Sequence, residues 1–157
     1  MIKVNVVAVG KVKENYFAEG IKEYAKRLSK YCEFNIIEIA EENYLKVDES
    51  KIKLIKDKES ERILPHLKGH VFAMAIEGKK LSSENLAKTI KTLTDNGEGV
   101  LTFVIGGSYG LSNEIKNKAN TLLSFSEMTF PHTLFRLMLT EQLYRAFSIN
   151  GGSAYHK

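Results

Sequence analysis

The chain has 157 residues, 43% of them hydrophobic, a formal net charge of +4 and a pI near 9.0, a balance that suits one domain with a single sizeable core over residues 1–157. No apolar run is long enough to span a bilayer, and no basic segment with a signal-like apolar core opens the chain, so a membrane role is not expected and a cytoplasmic location is. Cys32 is the only cysteine and the histidines lie apart except His66 and His70 beside Pro65, which excludes an internal disulfide and leaves no expected metal site.

In chain order, Ile2–Val9 is rich in β-branched residues and stops at Gly10, the pattern of a strand. Asn15–Lys30 places Phe17, Ile21, Tyr24 and Leu28 on one helical face. Phe34–Ile39 reads as a second strand. The highly charged segment from Val47 to Leu64 carries Ile52, Ile55 and Ile63 at helical spacing, so most of its charge is expected on a solvated face. Val71–Ile76 is a third strand ending at Glu77-Gly78, and Ser82 or Ser83 can cap a helix through Leu86, Ala87, Ile90 and Leu93 that Asp95-Asn96-Gly97 stops.

Val100–Ile105 reads as the fourth strand, and Ser112 as the N-cap of a short helix ending near Asn120. Leu122–Phe125 makes a short fifth strand. Pro131 introduces a long helix from Thr133 to Ile149, on which Leu134, Leu137, Met138, Glu141, Arg145 and Ser148 share a face that carries charge where a core would be apolar. Gly151-Gly152 ends it and leaves a short tail, Ser153–Lys157. Strands alternating with helices predict an α/β fold with a mainly parallel sheet covered on both faces.

Two loops at strand ends stand out as places for a small molecule. Gly106-Gly107-Ser108-Tyr109-Gly110 offers glycines that tolerate positive φ and close approach of a ligand. It is not a Walker loop, and Ile105 replaces the first glycine of the dinucleotide fingerprint, although Glu127 lies where that fingerprint puts a ribose-binding acid. Phe125–Pro131 combines aromatics, Met128 and hydroxyls without a glycine, a mixture that suits a pocket around an apolar or aromatic ligand and equally suits core packing. Four of the 23 basic residues are arginines, and two of these, Arg136 and Arg145, sit on the last helix. Glu141 stands one turn before Arg145 as an ion-pair partner, whereas Arg136 has Thr140 at that spacing. The basic surface favours polyanionic partners.

Val7–Lys11, Ile105–Gly107 with Gly110-Leu111, Leu123–Ser126 with Met128–His132, Arg136 with Glu141–Ala146, and the closing Tyr155-His156-Lys157 together resemble the SPOUT superfamily of knotted methyltransferases. Within it, the chain closely resembles the bacterial enzymes that methylate N3 of pseudouridine 1915 in 23S rRNA. The resemblance spans the chain. It implies a carboxyl-terminal trefoil knot, a homodimer, and S-adenosylmethionine as the cofactor. Cofactor-binding positions would be Met74, Gly106 and the loop Phe125, Ser126, Glu127, Met128, Thr129 and Phe130.

By the same resemblance Arg136, Tyr155 and His156 would act on the nucleotide. The N3–H of a uracil-type ring must lose its proton as the methyl arrives, and imidazole is the side-chain type that exchanges protons near neutrality. The implied partner is 23S rRNA within assembled ribosomes, bound partly through phosphate contacts. Another SPOUT methyltransferase acting on a ribose 2′-hydroxyl or a tRNA base, or a non-catalytic RNA-binding ribosome factor, is left open by the same residues.

Overall fold

The computed structural model describes residues 1–157. Its strands are β1 Lys3–Val9, β2 Glu33–Ile39, β3 His70–Lys80, β4 Val100–Ile105 and β5 Thr121–Ser124. Between and after them run α1 Asn15–Leu28, α2 Glu49–Ile63 with a 3-10 turn at Leu64–His66, α3 Ser83–Asp95, α4 Asn113–Lys118 and α5 His132–Asn150. The strands form one sheet in the order β2-β1-β4-β3-β5, and every neighbouring pair is parallel.

The two-residue period of a strand sorts the side chains into two cores. Val4, Val6 and Ala8 of β1 join Phe72, Leu101, Phe103 and Leu123 under α1, α3 and α5. Val7 and Val9 join Val71, Ala73 and Val104 under α2 and α4, with Ile63 and Ile115 from the helices. Within the first core Phe72 and Phe103 stack at 4.5 Å with nearly parallel rings. Polar positions in the sheet are satisfied: Asn35 donates to Asn5, and Thr102 donates to the Lys68 carbonyl. Caps fall where hydroxyls and carboxylates predict them, with Asp48, Ser82 and Ser112 accepting from Lys51, Asn85 and Ile115 N–H respectively. Ser83 is free to donate to Gln142 instead.

Most element ends, those of α5 included, agree with the sequence reading within two residues; β3 runs further than expected, and α5 buries a different face. β3 continues beyond Ile76 to Lys80, because Glu77-Gly78 forms part of a bulge and not a stop: both Met74 and Lys79 register with Leu123 of β5. The bare Gly78 makes the return possible, since a Cβ there would lie 2.7 Å from the Leu122 carbonyl carbon.

On α5 Arg136, Leu139, Thr140, Leu143 and Ala146 are buried, and of the face read from the sequence only Ser148 joins them; Leu134, Leu137, Met138, Glu141 and Arg145 are half-buried. The helix packs between α1 and α3 and is apolar on several sides, so periodicity had no single stripe to report.

Removing a stacked ring from the centre of the first core should be costly. Phe103→Ala is expected to lower stability by about 3–5 kcal/mol. Urea unfolding should show this as a lower midpoint at unchanged slope.

Candidate functional site

Because β4, β3 and β5 are adjacent and parallel, their carboxyl ends and the loops that follow lie at one end of the sheet. These loops surround a cavity of about 720 Å³, within the range that suits a small-molecule ligand. Met74, Ile105, Leu123, Phe125, Phe130 and Phe135 supply apolar wall, and Gly106–Gly110 with Ser124 and Ser126 complete the lining. Of the expected cofactor positions, Met74, Gly106, Phe125, Ser126, Met128, Thr129 and Phe130 all line it. Glu127 does not: its side chain is 84% exposed and its carboxylate lies 3.6 Å from the Lys80 ammonium.

Local hydrogen bonds fix the aromatic loop. Ser124 Oγ donates to the Ser126 carbonyl and accepts from the Ser126 N–H, and Ser126 Oγ accepts from the Met128 N–H. Phe125 then packs against Phe135 of α5 at 4.9 Å, with Phe130 on the same ring at 6.4 Å. Apolar side chains in this loop therefore make cavity wall and core contact together.

The glycine loop is built by close packing more than by unusual dihedrals. Only Gly110 has positive φ, at 81°. Gly106 is required because a Cβ would lie 2.6 Å from the Gly110 carbonyl carbon. Gly107 is hemmed in by Val9 Cγ1 and the Glu59 carboxylate, 3.0 and 3.3 Å from where its Cβ would stand. Glu59 comes from α2, is 3% exposed and accepts from the Glu42 N–H at 3.1 Å. Burial pushes its carboxyl above the usual range, a shift assisted by the charges of Glu41 and Glu42 and opposed by the Glu42 N–H and Arg62. Its neighbour Ser60 hydrogen-bonds Ser112, the N-cap of α4.

The three residues expected to act on the nucleotide are not gathered at this cavity. Arg136 is 3% exposed; Nη1 donates to Glu38 at 2.6 Å and Nη2 to the Gly10 carbonyl at 3.0 Å, while Nε has no partner. It ties α5 to the carboxyl ends of β1 and β2. The tail is docked and not frayed. Tyr155 donates to Glu141 at 2.9 Å, packs edge-on against Tyr144 and lies under the Arg145 guanidinium. Burial first, then its hydrogen bonds to Tyr24 and Glu141, raise the Tyr155 hydroxyl above its ordinary pKa.

His156 bridges Arg145 and Glu84, with Nδ1 3.0 Å from Arg145 Nη1 and Nε2 2.7 Å from Glu84 Oε1. Arginine can only donate, so Nδ1 accepts and Nε2 donates to Glu84. That bond lowers the Glu84 pKa. The tail cluster borders a second cavity, of about 620 Å³, lined by Tyr24, Leu137, Met138, Glu141 and Arg145. Leu123 and Phe125 form wall of both cavities, so the two adjoin.

Several lining residues escaped the sequence reading. His132 and Phe135 enter the first cavity from the start of α5, and Ile76 and Lys116 stand at it, Lys116 paired with Glu77 at 3.2 Å. Pro131-His132 was visible as a helix entrance, but nothing in the pattern shows which way His132 faces. Glu59 carried no signal at all inside a segment so rich in charge.

The sequence matches the family described as "Predicted SPOUT methyltransferase" over residues 2–156. Among curated proteins it is 50% identical to "Ribosomal RNA large subunit methyltransferase H" of Latilactobacillus sakei over 159 aligned positions, covering 99% of this chain and 100% of that protein. Proteins of the same name from Clostridioides difficile and Bacillus pumilus are 50% and 51% identical over the same shares of each chain. Among solved structures, a probable methyltransferase from Bordetella pertussis superposes with a TM-score of 0.58 at 13% identity, covering 93% of this chain and 95% of that one. A probable methylase family protein from Haemophilus influenzae gives 0.54 at 13% identity, covering 99% and 70%. At that identity the two structures support the fold alone.

The buried Glu59 has a pH signature of defined sign. Its folded pKa lies above the unfolded value, so the folded state holds the proton more tightly and stability is lost as pH rises through that window. Glu59→Gln removes the ionisation. Urea unfolding should therefore find the variant gaining stability relative to the native chain as pH rises above the ordinary carboxyl range; a difference independent of pH would mean that Glu59 is solvated as an ordinary surface acid.

Proposed function

The chain belongs to the SPOUT methyltransferase family, and on that premise we propose that it is an S-adenosylmethionine-dependent enzyme methylating N3 of pseudouridine 1915 in 23S rRNA. The observation that carries this reading is the convergence of Met74, Gly106, Phe125, Ser126 and Met128–Phe130 on one cavity of about 720 Å³. Its donor set fits the group: flat apolar wall for a purine, and loop backbone whose N–H and carbonyl groups can read the ring edge. Met74, Ile105, Leu123 and Phe125 would enclose the base, and Gly106 with Ser126 would supply backbone contacts. When bound, the cofactor supplies a methyl group on a sulfonium.

This chain's residues would then exclude water from the methyl, hold the uracil-type ring and accept the N3 proton. Arg145, Tyr155 and His156 are the polar groups proposed for the nucleotide, with the basic surface taking phosphates. His156 would first have to leave Glu84 and Arg145, since both ring nitrogens are engaged. Arg136, spanning Gly10 and Glu38, would act by holding α5 against β1 and β2. We further infer a homodimer through the half-buried face of α5, because Leu137 and Met138 beside Glu141 and Arg145 make a partly polar surface typical of interfaces. A carboxyl-terminal trefoil knot is part of the same proposal, supported by β3 lying between β4 and the later-added β5. The substrate proposed is 23S rRNA in assembled ribosomes of the cytoplasm.

Calorimetry with S-adenosylhomocysteine, followed by radiolabelled methyl transfer to ribosomes and mapping of the modified nucleoside, tests the reading. Gly106→Val is expected to abolish cofactor binding, because the side chain meets Gly110 backbone. Deleting Tyr155–Lys157 should leave cofactor affinity within about threefold and cut methyl transfer by about a hundredfold or more, the scale of a lost acid-base or positioning group. Full-rate transfer by the truncated chain would remove Tyr155 and His156 from the mechanism. A methyl mapped to a ribose oxygen or to tRNA would replace the substrate proposed.

A further inference from the structure

The last turns of α2 touch the glycine loop at two points, and neither contact is with solvent. Glu59, 3% exposed, lies against the bare Cα of Gly107, and Ser60, 2% exposed, hydrogen-bonds Ser112 at the end of the same loop. Between these points run Gly107–Leu111, whose turn is closed by the Gly110 N–H donating to the Gly107 carbonyl at 3.0 Å. Glu59 also accepts from the Glu42 N–H, and Arg62 one turn away donates to Glu42 and to the Ala40 carbonyl at 2.9 Å. One helix thus grips the loops that follow β2 and β4.

We propose that Glu59, with Ser60, is a positioning residue that holds Gly106–Leu111 in its ligand-binding conformation; this rests on the reading of the first cavity as the cofactor site. The physical reason is that the loop has little to hold it otherwise. Gly106, Gly107 and Gly110 lack side chains, Ser108 and Tyr109 are not buried, and only Leu111 anchors it in the core. A glycine loop left free retains the conformational entropy that a ligand would then have to remove on binding. The Glu59 carboxyl fills the space that Gly107 leaves and is itself fixed by the Glu42 N–H. Shape and accepting capacity matter here; negative charge does not, so glutamine should serve.

Glu59→Ala, Glu59→Gln and the exposed control Lys58→Ala test this in the full chain. Amide hydrogen exchange of residues 106–111, read without any ligand, should accelerate about tenfold or more in Glu59→Ala and stay near the native rate in Glu59→Gln and Lys58→Ala. S-adenosylhomocysteine affinity should weaken about tenfold in Glu59→Ala alone. The KM for S-adenosylmethionine should rise in that variant with kcat nearly unchanged, a split that general destabilisation would not produce. Native exchange rates in Glu59→Ala, or equal losses in the Gln and Ala variants, would overturn the proposal. Should the native chain itself fail to bind S-adenosylhomocysteine, the cofactor reading falls while the exchange measurement still decides whether Glu59 holds the loop.

Discussion

Parallel pairing of β4, β3 and β5 is the constraint from which the site follows. Each of these strands ends at the same edge of the sheet, so each must leave its chain there, and three loops of different chemistry are forced into one neighbourhood. The pairing in turn depends on two dry faces, since a parallel sheet needs cover on both sides. Val4, Val6, Phe72 and Phe103 take one cover from α1, α3 and α5; Val7, Val9 and Val104 take the other from α2 and α4. The cavity is therefore a by-product of the same alternation that makes the core.

Within that frame the loops differ in how they keep their shape. The loop after β5 is held by its own side chains, serine hydroxyls on backbone groups and phenylalanines on Phe135, so it carries its structure with it. The loop after β4 is held from outside, because glycines pack closely but fix nothing. The end of β3 is a third case, a bulge whose return depends on Gly78 passing close to Leu122. Apolar wall, bare backbone and a re-aimed strand end together give the cavity its mixture of flat surface and exposed amide groups.

Legibility followed how local each cause is. The strands, the helix caps at Ser82 and Ser112, and the two cavity loops were readable because each depends on residues within a few positions. Gly78 was misread because a glycine after an apolar run signals a stop and a bulge equally well. The inner stripe of α5 was misread because Leu134, Leu137 and Leu139 lie on different sides of a helix enclosed by two others, where spacing alone does not choose a face. Glu59 and Arg136 depend wholly on tertiary contacts, over 17 positions to Glu42 and 98 to Glu38, and no local pattern reports those. Family resemblance pointed to Arg136, Tyr155 and His156 but not to their separation from the first cavity.

That separation shapes how the tail can work. Tyr155 is held by a half-buried set of contacts, Glu141 on its hydroxyl, Tyr144 at its ring edge and Arg145 over its face, so this end of the tail is an anchor. His156 is held differently. Its Glu84 partner is exposed and its pull is screened by water, while Arg145 also holds Glu141 in a bidentate pair. An imidazole with one screened partner and one shared partner can be released without dismantling the anchor beneath it. The tail thus combines a fixed residue and a releasable one, next to the Leu123–Phe125 wall that the two cavities share.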